Sequence, residues 1–390
     1  MIQLSDAAAR IQGQEMFQIL AKAKELEGKG KSILHFELGD PDFDTPVNVV
    51  DAACSAIRGG DTHYTPSSGL IELKRKAQSV TERSRGFSPE LDQLVVCPGA
   101  NVQIYYAIAC TVNPGEEVII PDPGFVTYRS ILRFLGAKAV SVPLREEDGF
   151  SIRVDDIEKA ITPATKMIIV NSPSNPTGGV VGEEEWRKIY ELAVKNGIFI
   201  LSDEVYARMV YADAEEPFFS PSTLDHCKEN TILVNGFSKS YAMTGWRLGY
   251  MIINPAWVSV AAKVHQNMMI SAAEFVQKAG AVAIAEAEGE CAKMAKAFNE
   301  RRKFVLKRLG EGGLDPGYDP KGAFYVFLRY PKKGIDSLSL SMDILEKAGV
   351  AMTPGIDFGP GGEGFIRISY ANSMEHLDTA ITRLEKYFFG

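Results

Sequence analysis

Cysteine is scarce in this chain. Its 390 residues include five, Cys54, Cys97, Cys110, Cys227 and Cys291. They are odd in number, scattered and never spaced C-x-x-C, so neither a disulfide framework nor a zinc site is encoded. Histidine is equally sparse, and His35, His63, His226, His265 and His376 form no i, i+4 pair on any helix-like stretch. No metal ligand set is read. Positive charge is in deficit, 42 Lys and Arg against 50 Asp and Glu for a net −8, which argues against nucleic acid as a partner. No apolar run approaches the ~20 residues that span a bilayer. The start, MIQLSDAAARIQGQEMF, lacks the basic segment and apolar core of a signal peptide. These absences point to a soluble cytoplasmic protein with no membrane or nucleic-acid partner.

Three phosphate or nucleophile signatures are also missing. GKGKS at 28–32 resembles the end of a P-loop, but Glu25 stands where the first glycine belongs, and a helix-like run precedes it instead of a strand. A helix cap and turn is the better reading. GPGGEG at 359–364 leads into strand-like FIRIS, so it too reads as a turn, and no G-x-G-x-x-G opens a helix after a strand. A dinucleotide site therefore has no support. No G-x-S-x-G elbow is present, which removes the simplest hydrolase.

What is present suffices for a large core. The hydrophobic share is 45% and the charged share 24%, and a chain of this length holds two domains or one large domain with a smaller appendage. From about residue 90 to residue 255, short Val- and Ile-rich runs alternate with helix-like segments: LVVC, EVIIP, AKAVSVPL, KMIIVNSP, IFILSDE, TILVNG and RLGYMII. That pattern predicts an α/β unit with a mostly parallel sheet flanked by helices. The last hundred residues mix helix and strand without strict alternation and predict a smaller α+β domain. The expected division is an N-terminal segment, 1–46, that packs on the small domain or a partner subunit, a large domain over 47–289, and a small one over 290–390.

Ligands of open parallel sheets sit at the carboxyl ends of the strands. There the chain places Pro98, Gly99, Ala100 and Asn101 after LVVC, DPGFVTY after EVIIP, NSPSNPTG after KMIIV, Asp203, Glu204 and Tyr206 after IFILS, and Lys239 after TILVNGFS. Pyridoxal phosphate can use each of these groups. Its aldehyde needs a lysine amine, for which Lys239 is the candidate. Its phosphate suits the helix start at PGAN together with Arg247. Its pyridine nitrogen needs a carboxylate, and Asp203 fits. Taken singly, each residue has a blander reading: Asp203 as a helix cap, Tyr64, Tyr206 and Phe125 as half-buried aromatics, Asn175 as a turn former between prolines, Arg247 and Arg367 as ion-pair partners. The joint pattern overturns those defaults.

That pattern resembles the fold-type I, class I/II aminotransferases, the aspartate aminotransferase superfamily, over almost the whole chain. The stretches that carry the resemblance are LGDPDFDTP (38–46), THYTPSSGLIELK (62–74), PGAN (98–101), NSPSNPTG (171–178), SDEVY (202–206), SKSYAMTGWRLGY (238–250), PKGAFYVF (320–327) and FIRISYA (365–371). The resemblance implies a ping-pong aminotransferase acting on an amino acid and a 2-oxo acid, with Lys239 forming the internal aldimine and then moving the proton. It implies Asp203 at the pyridinium nitrogen, Asn175 and Tyr206 at the ring hydroxyl, and Phe125 stacked on the ring. The phosphate falls to Arg247, Ser238 and the Gly99–Asn101 turn, joined by Tyr64 of a neighbouring subunit in a homodimer. Arg367 falls to the substrate carboxylate, with Gly39 allowing close approach. A β-lyase, racemase or cyclopropane-forming synthase on the same scaffold, and a non-catalytic pyridoxal-phosphate regulator, are the alternatives. Gly236 departs from the pattern, since many relatives carry a hydroxyl there. Asn101 and the 263–275 stretch lack the cations some relatives use for a second carboxylate, so dicarboxylic, aromatic and small neutral donors all stay open. The donor side chain is expected near Glu15–Phe17, Asn101 and a partner's residues 265–270.

Overall fold

The computed structural model describes residues 3–11, 13–211, 213–214 and 217–390. The first strand, β1 (Leu34–His35), finds its partner far along the chain, pairing in parallel with β10 (Val350–Ala351). The seven apolar runs form one seven-stranded sheet: β2 (Leu94–Cys97), β3 (Glu117–Asp122), β4 (Lys138–Pro143), β5 (Thr165–Asn171), β6 (Phe199–Asp203), β7 (Thr231–Gly236) and β8 (Gly249–Ile252), in the order β2-β8-β7-β6-β5-β3-β4. Six strands point one way. β8 alone runs against both its neighbours, a direction that an apolar run does not encode.

The inner strands are apolar on both faces because helices cover both. β5, with Ile168, Ile169 and Val170 all buried, is typical, each such side chain contributing about 1.5–3 kcal/mol on burial. β4 lies at the edge and is largely exposed, which explains its polar alternation.

Register brings the strand ends into line. Asn171 stands opposite Asp203, Asp203 opposite Val234, Gly236 opposite Gly249, and Gly249 opposite Cys97. The polar residues that follow the apolar runs therefore share one edge. The helices named below are α1 (Met16–Gly28), α2 (Ala100–Thr111), α3 (Val126–Leu135), α4 (Glu183–Asn196) and the single-turn α5 (Phe237–Ser240). α4 ends where expected, at Gly197, whose φ of 64° is the left-handed conformation a C-cap demands. GKGKS is indeed the end of α1 and its turn, with Gly30 at φ 82°.

The C-terminal part opens with α6 (Glu288–Glu311), followed by β9 (Tyr325–Arg329), α7 (Ser337–Ala348), β11 (Thr353–Pro354), β12 (Phe365–Ser369) and α8 (Met374–Phe389). β11, β12 and β9 make an antiparallel sheet in that order. Asp336 and Ser373 cap α7 and α8 by accepting the Ser339 and His376 amides at 2.8 and 3.2 Å. Ile19, Ala23 and Leu26 of α1 pack on Leu345 of α7 and Ala351 of β10. The N-terminal segment is thus held on the C-terminal layer, and residues 14–16 are delivered to the sheet edge.

Candidate active site

The shared edge of the large sheet is one wall of a cavity of about 250 Å³. Lys239, Asp203, Asn175, Tyr206, Phe125, Ser238, Ala100, Asn101, Arg247, Gly39 and Arg367 all line it. Lys239 sits on the single turn that follows β7, half-buried, and its Nζ donates to the Gly39 carbonyl oxygen. Burial pushes its ammonium down to about 8; nearby Asp40 opposes this, and the positive Arg367 and Arg247 add to it. A lysine so placed loses its proton far more easily than a solvated one.

Asp203 closes β6 and is buried. Tyr128 of α3 donates to its Oδ2 at 2.5 Å, and the Val205 amide donates to Oδ1 at 3.3 Å. Burial nevertheless drives the carboxyl up to about 6, the two donors only offsetting part of that. Next to it, Asn171 Nδ2 donates to the Asp203 carbonyl at 3.0 Å while its Oδ1 accepts the Asn175 amide at 2.8 Å. The turn carrying Asn175 is fixed by that pair of bonds.

Arg367 lies in β12, buried, its guanidinium 4.5 Å from the Tyr325 ring centre and 5.0 Å from that of Phe358. It donates to Asn175 Oδ1 at 2.9 Å, to the Glu37 carbonyl at 2.5 Å and to Thr353 Oγ1 at 3.0 Å, while its Nε has no partner. A buried donor without a partner is costly unless a ligand takes it. Tyr206 and Tyr325 share a hydrogen bond of 2.8 Å through their hydroxyls. Gly39 passes so close to Tyr325 that a Cβ there would collide with the hydroxyl.

Arg247 differs from its sequence reading. It lies in the turn before β8, exposed and at φ 55°, with Nη1 donating to the Thr244 carbonyl at 2.7 Å, and is not inside an apolar strand. Gly99 has φ 90°, and a Cβ on it would stand 2.5 Å from Arg247 Nη2. Helix α2 starts immediately after Gly99 with no side-chain cap, so its first-turn N–H groups are left for an anion. This cradle, the half-buried lysine and the buried strand-end carboxylate together form a set that fits pyridoxal phosphate, and the partnerless Arg367 Nε is left for a further anion.

Other expectations fall outside the cavity. Tyr64 is 80% exposed and does not reach this chain's own site. Of residues 15–17, Met16 lines the cavity whereas Phe17 is exposed; Gln14, absent from the sequence reading, lines it as well. Gly236 is beside it, a would-be Cβ meeting only Val205 Cγ2 at 3.6 Å and Cγ1 at 3.8 Å, and Ala100 Cβ at 3.9 Å. Sequence reasoning also missed Tyr128, Asn171, Tyr325, Thr353 and Asp357. Asn171 had a signal, a polar side chain ending a buried strand. A second cavity of about 510 Å³ lies behind the Lys239 turn, where Arg85 and Arg208 are paired with Glu204 and Glu288.

Known proteins share this chain's sequence and fold. Residues 31–384 match the family model described as aminotransferase class I and II. An aspartate aminotransferase of Pyrococcus horikoshii is 40% identical over 94% of this chain and 93% of its own length. The (5-formylfuran-3-yl)methyl phosphate transaminase of Methanocaldococcus jannaschii is 38% identical over 98% of this chain and 99% of its own. The solved structure of a Thermus thermophilus aspartate aminotransferase variant superposes with a TM-score of 0.93 at 34% identity, covering 99% of this chain and 100% of that one. The chain belongs to the class I and II aminotransferases, enzymes that depend on pyridoxal phosphate.

Proposed function

We propose that this enzyme moves an amino group from an L-amino acid to a 2-oxo acid in two successive half-reactions, with Lys239 as the catalytic residue. Pyridoxal phosphate, when bound, supplies an aldehyde that takes up the amine and a ring that draws electrons from the substrate Cα. The observation that carries the reading is Lys239 itself: a single lysine lowered to about 8, in one cavity with Asp203 and Arg367. In its neutral form Nζ would bond the cofactor's aldehyde carbon. Displaced from there by the substrate amine, Nζ would take the proton from the substrate Cα and return it at the carbon that had carried the aldehyde oxygen.

The other roles follow from charge and position. Asp203, held by Tyr128, keeps the ring nitrogen protonated. Asn175 and Tyr206 donate to the ring hydroxyl, Asn175 having its Oδ1 already occupied by Arg367. Phe125 packs on the ring. The open turn of α2 at Gly99–Asn101, with Ser238 and Arg247, holds the phosphate, and Tyr64 of a second subunit completes the set in a homodimer. Arg367 offers its fork to the α-carboxylate, which Gly39 lets approach. The same division of labour supports a large domain over 47–289, a small one over 290–390, and a segment over 1–46 that packs on the small domain or a partner subunit.

The test is a single-turnover experiment. An L-amino acid should convert the bound cofactor stoichiometrically to its amine form, and a 2-oxo acid should reverse the change. Lys239→Ala should abolish both. Ammonia released together with pyruvate would instead mark a lyase, and a wild type that stays colourless with the cofactor would refute the assignment.

A further inference from the structure

α1 begins without a side-chain cap of its own, since Glu15 makes no such bond. Its cap comes from the far end of the chain. Asp357 accepts the Glu15 amide at 2.6 Å through Oδ1 and the Met16 amide at 2.8 Å through Oδ2. Two charge-assisted bonds to the positive end of a thirteen-residue helix hold this first turn in place. The turn so held puts Gln14 and Met16 into the cavity wall, with Met16 Sδ 4.0 Å from Arg367 Nη2.

Charge inside the cavity is unevenly distributed. Its cations are Lys239, Arg247 and Arg367, each with a task in the reading above, and its carboxylates are Asp203 and Asp357. Asp203 serves the ring. What remains for a donor's side chain includes Met16, Ile104, Val126 and Phe358, uncharged Gln14 and Asn101, and the negative Asp357. Phe125, Val126, Asp357 and Phe358 also line an adjoining cavity of about 420 Å³, where Arg129 is taken by Asp122 at 3.4 Å and Ser141 at 3.1 Å. Among the described residues that line the first cavity, Lys239, Arg247 and Arg367 are the only cations, and each already has its task.

Resting on the aminotransfer reading, we propose that Asp357 is a positioning and specificity residue: it latches residues 14–16 over Arg367 and sets the site for donors with uncharged side chains, against aspartate and glutamate. A second carboxylate on the donor meets a like charge instead of a counter-ion. In a partly buried site that difference amounts to tenfold to a hundredfold, as an order of magnitude.

Single-turnover conversion of the cofactor-loaded enzyme by L-leucine, L-methionine, L-phenylalanine, L-aspartate and L-glutamate tests this. The neutral donors should exceed the acidic ones in kcat/KM by about tenfold or more. Asp357→Asn should shift the aspartate-to-leucine ratio toward aspartate by a similar factor, and Asp357→Glu, which keeps the charge, should leave acidic donors disfavoured. Amide hydrogen exchange gives a readout besides activity: Glu15 and Met16 should be protected in the wild type and lose protection in Asp357→Ala. Aspartate as the fastest donor overturns the proposal, as does an unchanged donor ratio in Asp357→Asn. If no amino acid at all alters the cofactor spectrum, the aminotransfer reading fails and this proposal with it.

Discussion

Burial disfavours the charged form of Asp203, and the consequence is measurable. Its carboxyl rises from 3.8 to about 6 because burial outweighs the hydrogen bonds from Tyr128 and the Val205 amide. The folded chain therefore holds this proton more tightly than the unfolded one. The penalty is absent below pH 3.8, grows as pH rises, and is complete above about 6. Converted at the usual rate for a pKa displacement, it comes to about 3 kcal/mol, a large share of a typical folding free energy. Asp203→Asn removes the charge while keeping an oxygen that can accept from Tyr128. The cofactor-free variant should thus be more stable than the cofactor-free wild type at pH 8, by up to about 3 kcal/mol, and the difference should shrink toward pH 4. Urea unfolding at both pH values reads it. Aminotransfer by the same variant should fall by about a hundredfold or more, because the ring nitrogen loses its partner. A variant less stable at pH 8, or an advantage that does not shrink in acid, would refute the reasoning.

Two other outcomes are expected. Gly236→Ser adds a side chain where the nearest atom to a Cβ is 3.6 Å away and where φ, at −144°, suits any residue; the new hydroxyl, close to the Ala100 end of α2, should tighten cofactor binding about fivefold, as one hydrogen bond of about 1 kcal/mol does, and weaker binding in a spectral titration would show that the space is not available. Capture of the cofactor by the ligand-free enzyme should accelerate with pH and level off above about 8, since only the neutral Lys239 amine reacts and its ammonium is lowered to that value; a midpoint near the ordinary 10.5 would show that Lys239 is solvated.

The parts of the fold written locally were legible. Seven apolar runs became seven strands, and the glycine after Asn196 became a left-handed cap. The reversed direction of β8 was not, because an apolar run reads the same both ways. The two-residue strands β1, β10 and β11 are too short to leave a periodicity. Residues whose chemistry is their own, such as Lys239, Asp203 and Arg367, could be found from position in the sequence. Residues that act by meeting another could not. Tyr128 reads as one more aromatic on a helix until Asp203 is beside it, and Asp357 reads as a turn former until the start of α1 arrives 341 residues away in sequence. Arg247 lines the cavity, yet its left-handed backbone in a turn is invisible inside the strand-like string WRLGY.

The pairing of Leu34 with Val350 also sets an order of assembly during synthesis. The strands from β2 to β8, with Lys239, Asp203 and the start of α2, leave the ribosome well before β10, Asp357 and Arg367. Units completed first fold first, so the seven-stranded sheet can close while the partner of β1 is still unmade. The first strand waits for the end of translation to be paired.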